Sequence, residues 1–540
     1  MTQPVVLIIL DGWGIAPPGP GNAITQARLP FYRQLLSAYP STKLSASGEA
    51  VGLPHGEDGN TEVGHINLGA GQIVFQDLPR INMAIADGSF FLNPSLNQAI
   101  NHSLTNHSTL HLIGLIGSGG VHANNEHLFA LIKFAKQKNI QRLALHLFTD
   151  GRDSPPTTSQ IYLSQIQSLL ETINLGVIAS VIGRYYALDR DFRWERTQKA
   201  YDCLTLGTGL KTTSLNQAIQ KSYIRQKSDE FIEPTNITDE SNTPLALIQD
   251  NDAVIFFNFR VDRPRQLTKA FVMPDFETNA NQLAFDPFAD RYLHSHLPTK
   301  ATTNPVFKRQ KVLKNLCFVT MTEYQANLPC LVMMPPVHVD LPLSRIISEA
   351  NLRQLKMAES EKERFVTYYF NGLREQPFAE EDWQIIPSPN ISTYDLKPEM
   401  STPQLSKSLI AKLKDRIYQF ILINLACPDM VGHTGNLTAS IKACEAVDIF
   451  LSQVIPVILA LDGIAIITAD HGNVEEVINL QSGEIDTEHS ANPVPCIIIN
   501  SKFQNQSINL NQGILADIAP TILKLLEIPK PSQMIGKSLI

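Results

Sequence analysis

Along the chain, short apolar β-type runs alternate with longer amphipathic stretches, the pattern of parallel sheets covered on both faces by helices. The clearest runs are Val5–Leu10, Leu110–Ile116, Leu143–Leu147, Val177–Ile182, Val254–Phe257, Phe420–Leu425, Ile464–Thr468 and Cys496–Ile499. Together they predict an α/β protein with mainly parallel sheets. Nearly every run leads straight into polar residues: Asp11 after the first, Arg184 and Arg260 after two middle ones, Asp429 after the sixth and Asp470-His471 after the seventh. In open α/β sheets ligands sit beyond the carboxyl ends of strands, so a site is expected there.

The polar residues also divide the chain. Metal-type ligands lie before about residue 76 and again after about residue 420, with an arginine-rich middle between them. At 540 residues the chain exceeds what one core supports, and the division predicts one domain inserted into another: 1–76 with 337–540 binding metal, and 80–333 binding substrate. The expected crossings are Phe75–Arg80 and Met333–Val339, the latter stiffened by Pro335-Pro336. Two crossings at one place suggest a hinge. The polar, irregular segment Met273–Lys314 reads as a surface elaboration of the middle domain.

Composition narrows the class. A 43% hydrophobic, 18% charged chain of net charge −8 reads as globular, with no basic field for nucleic acid or membranes, so any anionic ligand must be held by local arginines. Six cysteines without CxxC spacing read as reduced, mostly buried thiols. No basic leader precedes Val5–Leu10, and no uninterrupted apolar run reaches the roughly 18 residues of a membrane span, so the expectation is a cytoplasmic protein.

The stretch Asp58-Gly59-Asn60-Thr61-Glu62-Val63-Gly64-His65 sets a hydroxyl among glycines where a loop enters a helix. Glycines permit close backbone approach, and a helix N-terminus offers free N–H groups to a phosphate, so Thr61 is a candidate nucleophile. Asp11, Asp429, His433, Asp470, His471 and His489 add three carboxylates and three imidazoles, an inventory that suits two ions such as Mn²⁺ or Zn²⁺ better than all-oxygen shells of Ca²⁺ or Mg²⁺. In the middle of the chain Arg152, Arg184, Arg190, Arg260 and Arg263 follow strand ends. Their planar forks match carboxylate and phosphate, implying a small organic phosphate. Asp153 and His122 are the candidates for moving a substrate proton, and Lys362 is a candidate for reaching the phosphoryl group.

These motifs resemble the 2,3-bisphosphoglycerate-independent phosphoglycerate mutases of the alkaline phosphatase superfamily, from Val6-Leu7-Ile8-Ile9-Leu10-Asp11-Gly12-Trp13-Gly14 to Gly536-Lys537-Ser538-Leu539-Ile540. The resemblance implies a phosphatase domain in two segments, an inserted transferase domain and two Mn²⁺ ions, with Zn, Co or Mg as alternatives. The implied reaction interconverts 3-phosphoglycerate and 2-phosphoglycerate through a phosphothreonine, in a cytoplasmic monomer. Asp429, His433 and His489 would hold one metal, and Asp11, Thr61, Asp470 and His471 the other. His122, Arg152, Asp153, Arg184, Arg190, Arg260, Arg263 and Lys362 would hold substrate. Two departures stand out: Thr61 replaces the usual serine, and Gly117-Ser118-Gly119-Gly120-Val121-His122-Ala123-Asn124 replaces Ser-Asp-Gly-Gly-Val-His-Ser-His. The rivals are a phosphomonoesterase or phosphopentomutase of the same superfamily, and a catalytically weak metal- and phosphate-binding protein.

Overall fold

A computed structural model describes residues 3–281, 304–479, 482–506 and 508–540. The chain forms two compact units, one from Met1–Pro79 with Val337–Ile540 and one from Arg80–Pro336.

The sheet of the first unit runs Glu381–Ile386, Gln354–Glu359, Phe420–Leu425, Val5–Leu10, Ile464–Thr468, Val494–Ile499, Ser41–Ser45 and Gly513–Ile514. Its first five strands are parallel, and Val494–Ile499 runs against both neighbours. Val5–Leu10 is wholly buried, as a central strand of six aliphatic residues must be. On one side Val5 pairs with Phe420 and on the other with Ile464. That register ends three strands at one edge, so Asp11, the short helix Cys427–Gly432 and Asp470-His471 issue side by side.

Helix Leu437–Ala460 covers this sheet. It is long and apolar enough to cross a membrane by length and composition, although Lys442, Glu445 and Asp448 interrupt its apolar residues. Val447, Leu451, Val454 and Ile458 nevertheless pack into the core, and Asp448 accepts hydrogen bonds from the backbone N–H groups of Tyr32 (2.6 Å) and Phe31 (3.3 Å). Those contacts are of a core helix. The expectation from apolar runs alone therefore overlooked a helix that meets the length test.

In the second unit the sheet order is Leu331–Met334, Cys317–Thr322, Ala253–Phe256, Leu110–Ile116, Leu143–Thr149, Val177–Gly183, Thr235–Ile237 and Leu210–Thr212. The first six strands are parallel, and Thr235–Ile237 is antiparallel to Val177–Gly183. All eight expected runs form strands, and both sheets are mainly parallel as the alternation predicts. Strand ends differ by up to two residues, and the expected Val254–Phe257 lies one residue earlier.

Of the segment Met273–Lys314, expected to be irregular, residues 273–281 and 304–314 are described. Phe276–Asn279 is helical, and the buried Arg309 guanidinium binds Glu277 (2.9 and 3.0 Å) and the carbonyls of Ala270, Met273 and Pro274. Residues 282–303 of that segment lie outside the described residues. The six cysteines are free, five buried and Cys330 partly so.

Candidate active site

Thr61 opens helix Thr61–Ala70, and the Asn60 side chain caps it by accepting from Val63 N (2.9 Å). Gly64 lets this helix close on the strand end: a Cβ there would stand 2.6 Å from the Asp470 carbonyl oxygen. Thr61 is 6% exposed, and its Oγ1 lies 2.9 Å from His471 Nε2 while accepting from Lys362 Nζ at 3.1 Å. His471 Nδ1 faces the Gly472 carbonyl at 3.2 Å, which assigns the proton to Nδ1 and leaves Nε2 to accept from the Thr61 hydroxyl.

Around this hydroxyl the carboxylates and imidazoles form two groups. Asp429 Oδ1 lies 3.3 Å from His433 Nε2 and 3.4 Å from His489 Nε2, and the two nitrogens are 3.1 Å apart. Both rings donate through Nδ1, His433 to the Thr487 carbonyl (2.7 Å) and His489 to that of Gly59 (3.0 Å), so both Nε2 lone pairs face the carboxylate. A tetrahedral ion with bonds of about 2.1 Å has ligand–ligand edges of about 3.4 Å, which this triangle matches. In the second group His471 Nε2 is 2.9 Å from Thr61 Oγ1, 3.3 Å from Asp470 Oδ2 and 3.5 Å from Asp11 Oδ1. Asp470 Oδ2 is buried without a hydrogen bond, a free lone pair of the kind a cation uses. The donor set thus fits divalent ions. Ligand atoms of Asp11, His65 and Asp470 also lie within 4.8 Å of one another, as do those of Asp429, His471 and His489.

Lys362 joins the groups. It is 3% exposed and donates to Asp11 Oδ1 (2.8 Å) and Asp429 Oδ2 (2.7 Å). Burial would lower its pKa, but Asp11, Asp429 and Asp470 outweigh burial and raise it. Burial also favours the neutral form of each acid. For Asp429, Lys362 overcomes it and holds the carboxyl well below the ordinary range. For Asp11, burial and the Asp470 charge prevail, and its pKa is raised. A residue overlooked in the sequence, Glu475, ties the surrounding loops: it accepts from Gly14 N (2.9 Å), Asn473 N (2.9 Å), Asn492 Nδ2 (3.1 Å) and the Ser490 hydroxyl.

The second unit has its own cluster. Arg184, 2% exposed, donates to Asp150 and Asp153 and, at 3.1 Å, to His122 Nε2. Arg190 binds Asp262 (2.6 Å), Arg260 stands 3.3 Å from the same carboxylate, and Arg263 donates to the Leu188 carbonyl (3.2 Å). Burial and the charges of Arg184, Arg190 and Arg152 push Arg263 down to about 10, so these cations converge enough to repel one another. Arg152 is the outlying member, 57% exposed with Glu230 at 3.8 Å. His122 is pushed down to about 4 by burial and Arg184. With its Nε2 lone pair committed to Arg184, it differs from the proton carrier suggested by sequence. Asp153, 27% exposed, is held ionised because Arg184 and Arg263 outweigh its burial. At the departure Ala123-Asn124, the Asn124 side chain accepts from Glu126 N (2.8 Å) and caps helix Asn125–Gln137. Asp150 and Asp262, which orient the arginines, were not singled out in the sequence, where acids beside arginines look like surface pairs.

Residues 81–326 match a family model described as BPG-independent PGAM N-terminus (iPGM_N). Over 100% of its length the chain is 49% identical to the 2,3-bisphosphoglycerate-independent phosphoglycerate mutase of Chloroflexus aggregans, covering 98% of that protein. The chain belongs to this family. It is 44% identical to the phosphoglycerate mutase of the same description from Moorella thermoacetica, covering 100% of this chain and 99% of that one. A crystal structure of Leishmania mexicana phosphoglycerate mutase at low cobalt concentration is 28% identical, covers 100% of this chain and 98% of its own, and has a TM-score of 0.59. As a phosphoglycerate mutase the chain is an isomerase that interconverts 3-phosphoglycerate and 2-phosphoglycerate.

Proposed function

We propose that the phosphoryl group passes through Thr61, carried by two metal-assisted half-reactions in which the glycerate stays bound. The observation that supports this reading best is the Thr61 hydroxyl itself, at a helix N-terminus, donating toward His471 Nε2 and accepting from Lys362. Asp429, His433 and His489 would hold one divalent ion, and Asp11, Thr61, Asp470 and His471 the other, with Mn²⁺ as the assigned metal. When bound, such ions supply positive charge that acidifies a coordinated hydroxyl and steadies the oxygens of a transferring phosphoryl group.

The chain's own residues do the rest. In the first half-reaction the Thr61 oxygen forms a bond to phosphorus as its hydroxyl proton is released to solvent, the phosphorus–oxygen ester bond of 3-phosphoglycerate breaks, and the freed glycerate oxygen takes up a proton from solvent. In the second, the 2-hydroxyl attacks the phosphothreonine and its proton passes to the ionised Asp153, which returns it to solvent, while the Thr61–phosphorus bond breaks and the Thr61 oxygen takes a proton back from solvent. Arg152, Arg184, Arg190, Arg260 and Arg263 grip the carboxylate and phosphate of the substrate, with His122 orienting Arg184. Lys362 holds its charge toward the transferred group. The segments 1–76 and 337–540 serve as the phosphatase domain and 80–333 as the phosphotransferase domain of a monomeric, cytoplasmic enzyme.

Exhaustive chelation, with metal analysis confirming removal, should abolish turnover of 3-phosphoglycerate in an enolase-coupled assay. Mn²⁺ should restore it at two ions per chain, without added 2,3-bisphosphoglycerate. Full activity in verified metal-free protein, or an absolute need for the bisphosphate, would contradict the reading.

A further inference from the structure

We infer that His65 is a positioning residue of the mutase reaction, fixing the Thr61 turn and the Asp11 carboxylate in one arrangement while making no bond to metal. The inference rests on the assignment of Asp11, Thr61, Asp470 and His471 to one ion.

His65 lies one helical turn after Thr61 and is 0% exposed. Its Nδ1 is 2.9 Å from the Thr61 carbonyl oxygen, and its Nε2 is 3.1 Å from Asn424 Nδ2. The same Asn424 nitrogen donates to Asp11 Oδ2 at 2.6 Å. A carboxylate can only accept, so the amide must present its NH₂ group to Asp11 and cannot be flipped. The second amide hydrogen then points at His65 Nε2, which must carry a lone pair. The imidazole proton is therefore on Nδ1, where it meets the Thr61 carbonyl. One neutral tautomer satisfies both hydrogen bonds of the ring, and neither nitrogen remains free for a cation.

The consequence is geometric. The first turn of the nucleophile's helix is tied through His65 to Asn424, and through Asn424 to Asp11 Oδ2, which leaves Asp11 Oδ1 toward Lys362 and His471. Asp470 Oδ2 stands 3.2 Å from His65 Nδ1 but takes no hydrogen bond from it, because that N–H is engaged by the carbonyl. Residues that orient ligands in this way typically change metal affinity or activity by about 10- to 100-fold when removed.

The test compares His65→Leu, His65→Asn and Asn424→Leu with the parent by calorimetric titration of Mn²⁺ into chelated protein, alongside kcat, KM and thermal melting. Asparagine keeps an N–H near the Nδ1 position. The expected result is a roughly 10- to 100-fold weakening of one Mn²⁺ equivalent in His65→Leu and Asn424→Leu, with the second equivalent and KM unchanged and recovery of about half the lost affinity, on a logarithmic scale, in His65→Asn. Complete loss of one equivalent in both His65 variants would make His65 a ligand and overturn the inference, as would parental affinity in all three. If a leucine variant does not fold, nitrogen-15 correlation spectra of histidine-labelled parent protein decide: a neutral ring protonated on Nδ1 is expected, and protonation on Nε2 overturns it. Failure of the parent itself to bind Mn²⁺ would overturn the metal assignment as well, which distinguishes the two failures.

Discussion

Replacing Lys362 with methionine removes the cation that lies 2.8 Å from Asp11 and 2.7 Å from Asp429, both essentially buried. In chelated protein the variant would leave three buried carboxylates, those of Asp11, Asp429 and Asp470, without their ammonium. Removing one partner of a buried ion pair typically costs about 3–5 kcal/mol. For a unit of this size that is a fall in melting temperature on the order of 10 °C. Asp11 can relieve part of the strain by binding a proton, because burial and Asp470 already raise its pKa. The folded variant would then hold a proton that the unfolded chain releases, so its stability falls as pH rises. The deficit in chelated protein should be larger at pH 8 than at pH 5.5, and should shrink when saturating Mn²⁺ supplies the missing charge. Calorimetric melting of parent and variant, chelated and Mn²⁺-loaded at both pH values, measures this. An equal melting temperature in the chelated pair at pH 8 would refute the reasoning.

Three further outcomes are expected. The second unit should lose stability as pH falls from about 6.5 to about 4, since burial and Arg184 push His122 down to about 4 and burial does the same to His127. The unfolded chain takes up these protons first, at up to roughly 3 kcal/mol per histidine, and His122→Gln with His127→Gln should flatten a denaturant-midpoint profile across that window. Arg190→Met removes a partly exposed guanidinium that pairs with Asp262. It should raise KM for 3-phosphoglycerate by about 10- to 100-fold, the worth of a charged hydrogen bond, with Mn²⁺ binding unchanged by calorimetry. Gly64→Ala would set a Cβ 2.6 Å from the Asp470 carbonyl oxygen and 2.7 Å from its Cβ. By displacing the Thr61 helix it should lower kcat by at least about tenfold, equivalent to roughly 1.4 kcal/mol, and a parental kcat would contradict the packing argument.

The fold was legible where burial makes strands uniformly apolar, as in Val5–Leu10 and Leu110–Ile116. It was hidden where buried strands carry polar residues. Gln354–Glu359 is fully buried yet reads QLKMAE, because Lys356 reaches the Ser344 hydroxyl (2.7 Å) and lies over the Phe370 ring (3.8 Å). Ser41–Ser45 was missed for the opposite reason: near the sheet edge it buries only Leu44. The chemistry of strand ends gave the site's charged residues, since Asp, His and Arg after apolar runs stand out in any sequence. His65 and Asn424 did not stand out, because each is identified by what it bonds across hundreds of residues. An asparagine inside the otherwise apolar Phe420–Leu425 is the one sequence signal that marks a buried polar contact there.

The most direct test asks where the phosphoryl group goes. Parent protein, Thr61→Ser and Thr61→Val would be mixed with phosphate-labelled 3-phosphoglycerate, quenched in acid within a turnover, and mapped by tandem mass spectrometry, with mutase rates measured in parallel. Serine keeps the oxygen and should retain activity within about tenfold, or roughly 1.4 kcal/mol in the barrier. Valine keeps the shape without the nucleophile and should lose several orders of magnitude. The expected result is acid-stable label on Thr61 in the parent and on residue 61 of the serine variant, with none in the valine variant. Turnover by Thr61→Val near the parental rate, or label recovered on another residue, would contradict a phosphothreonine intermediate.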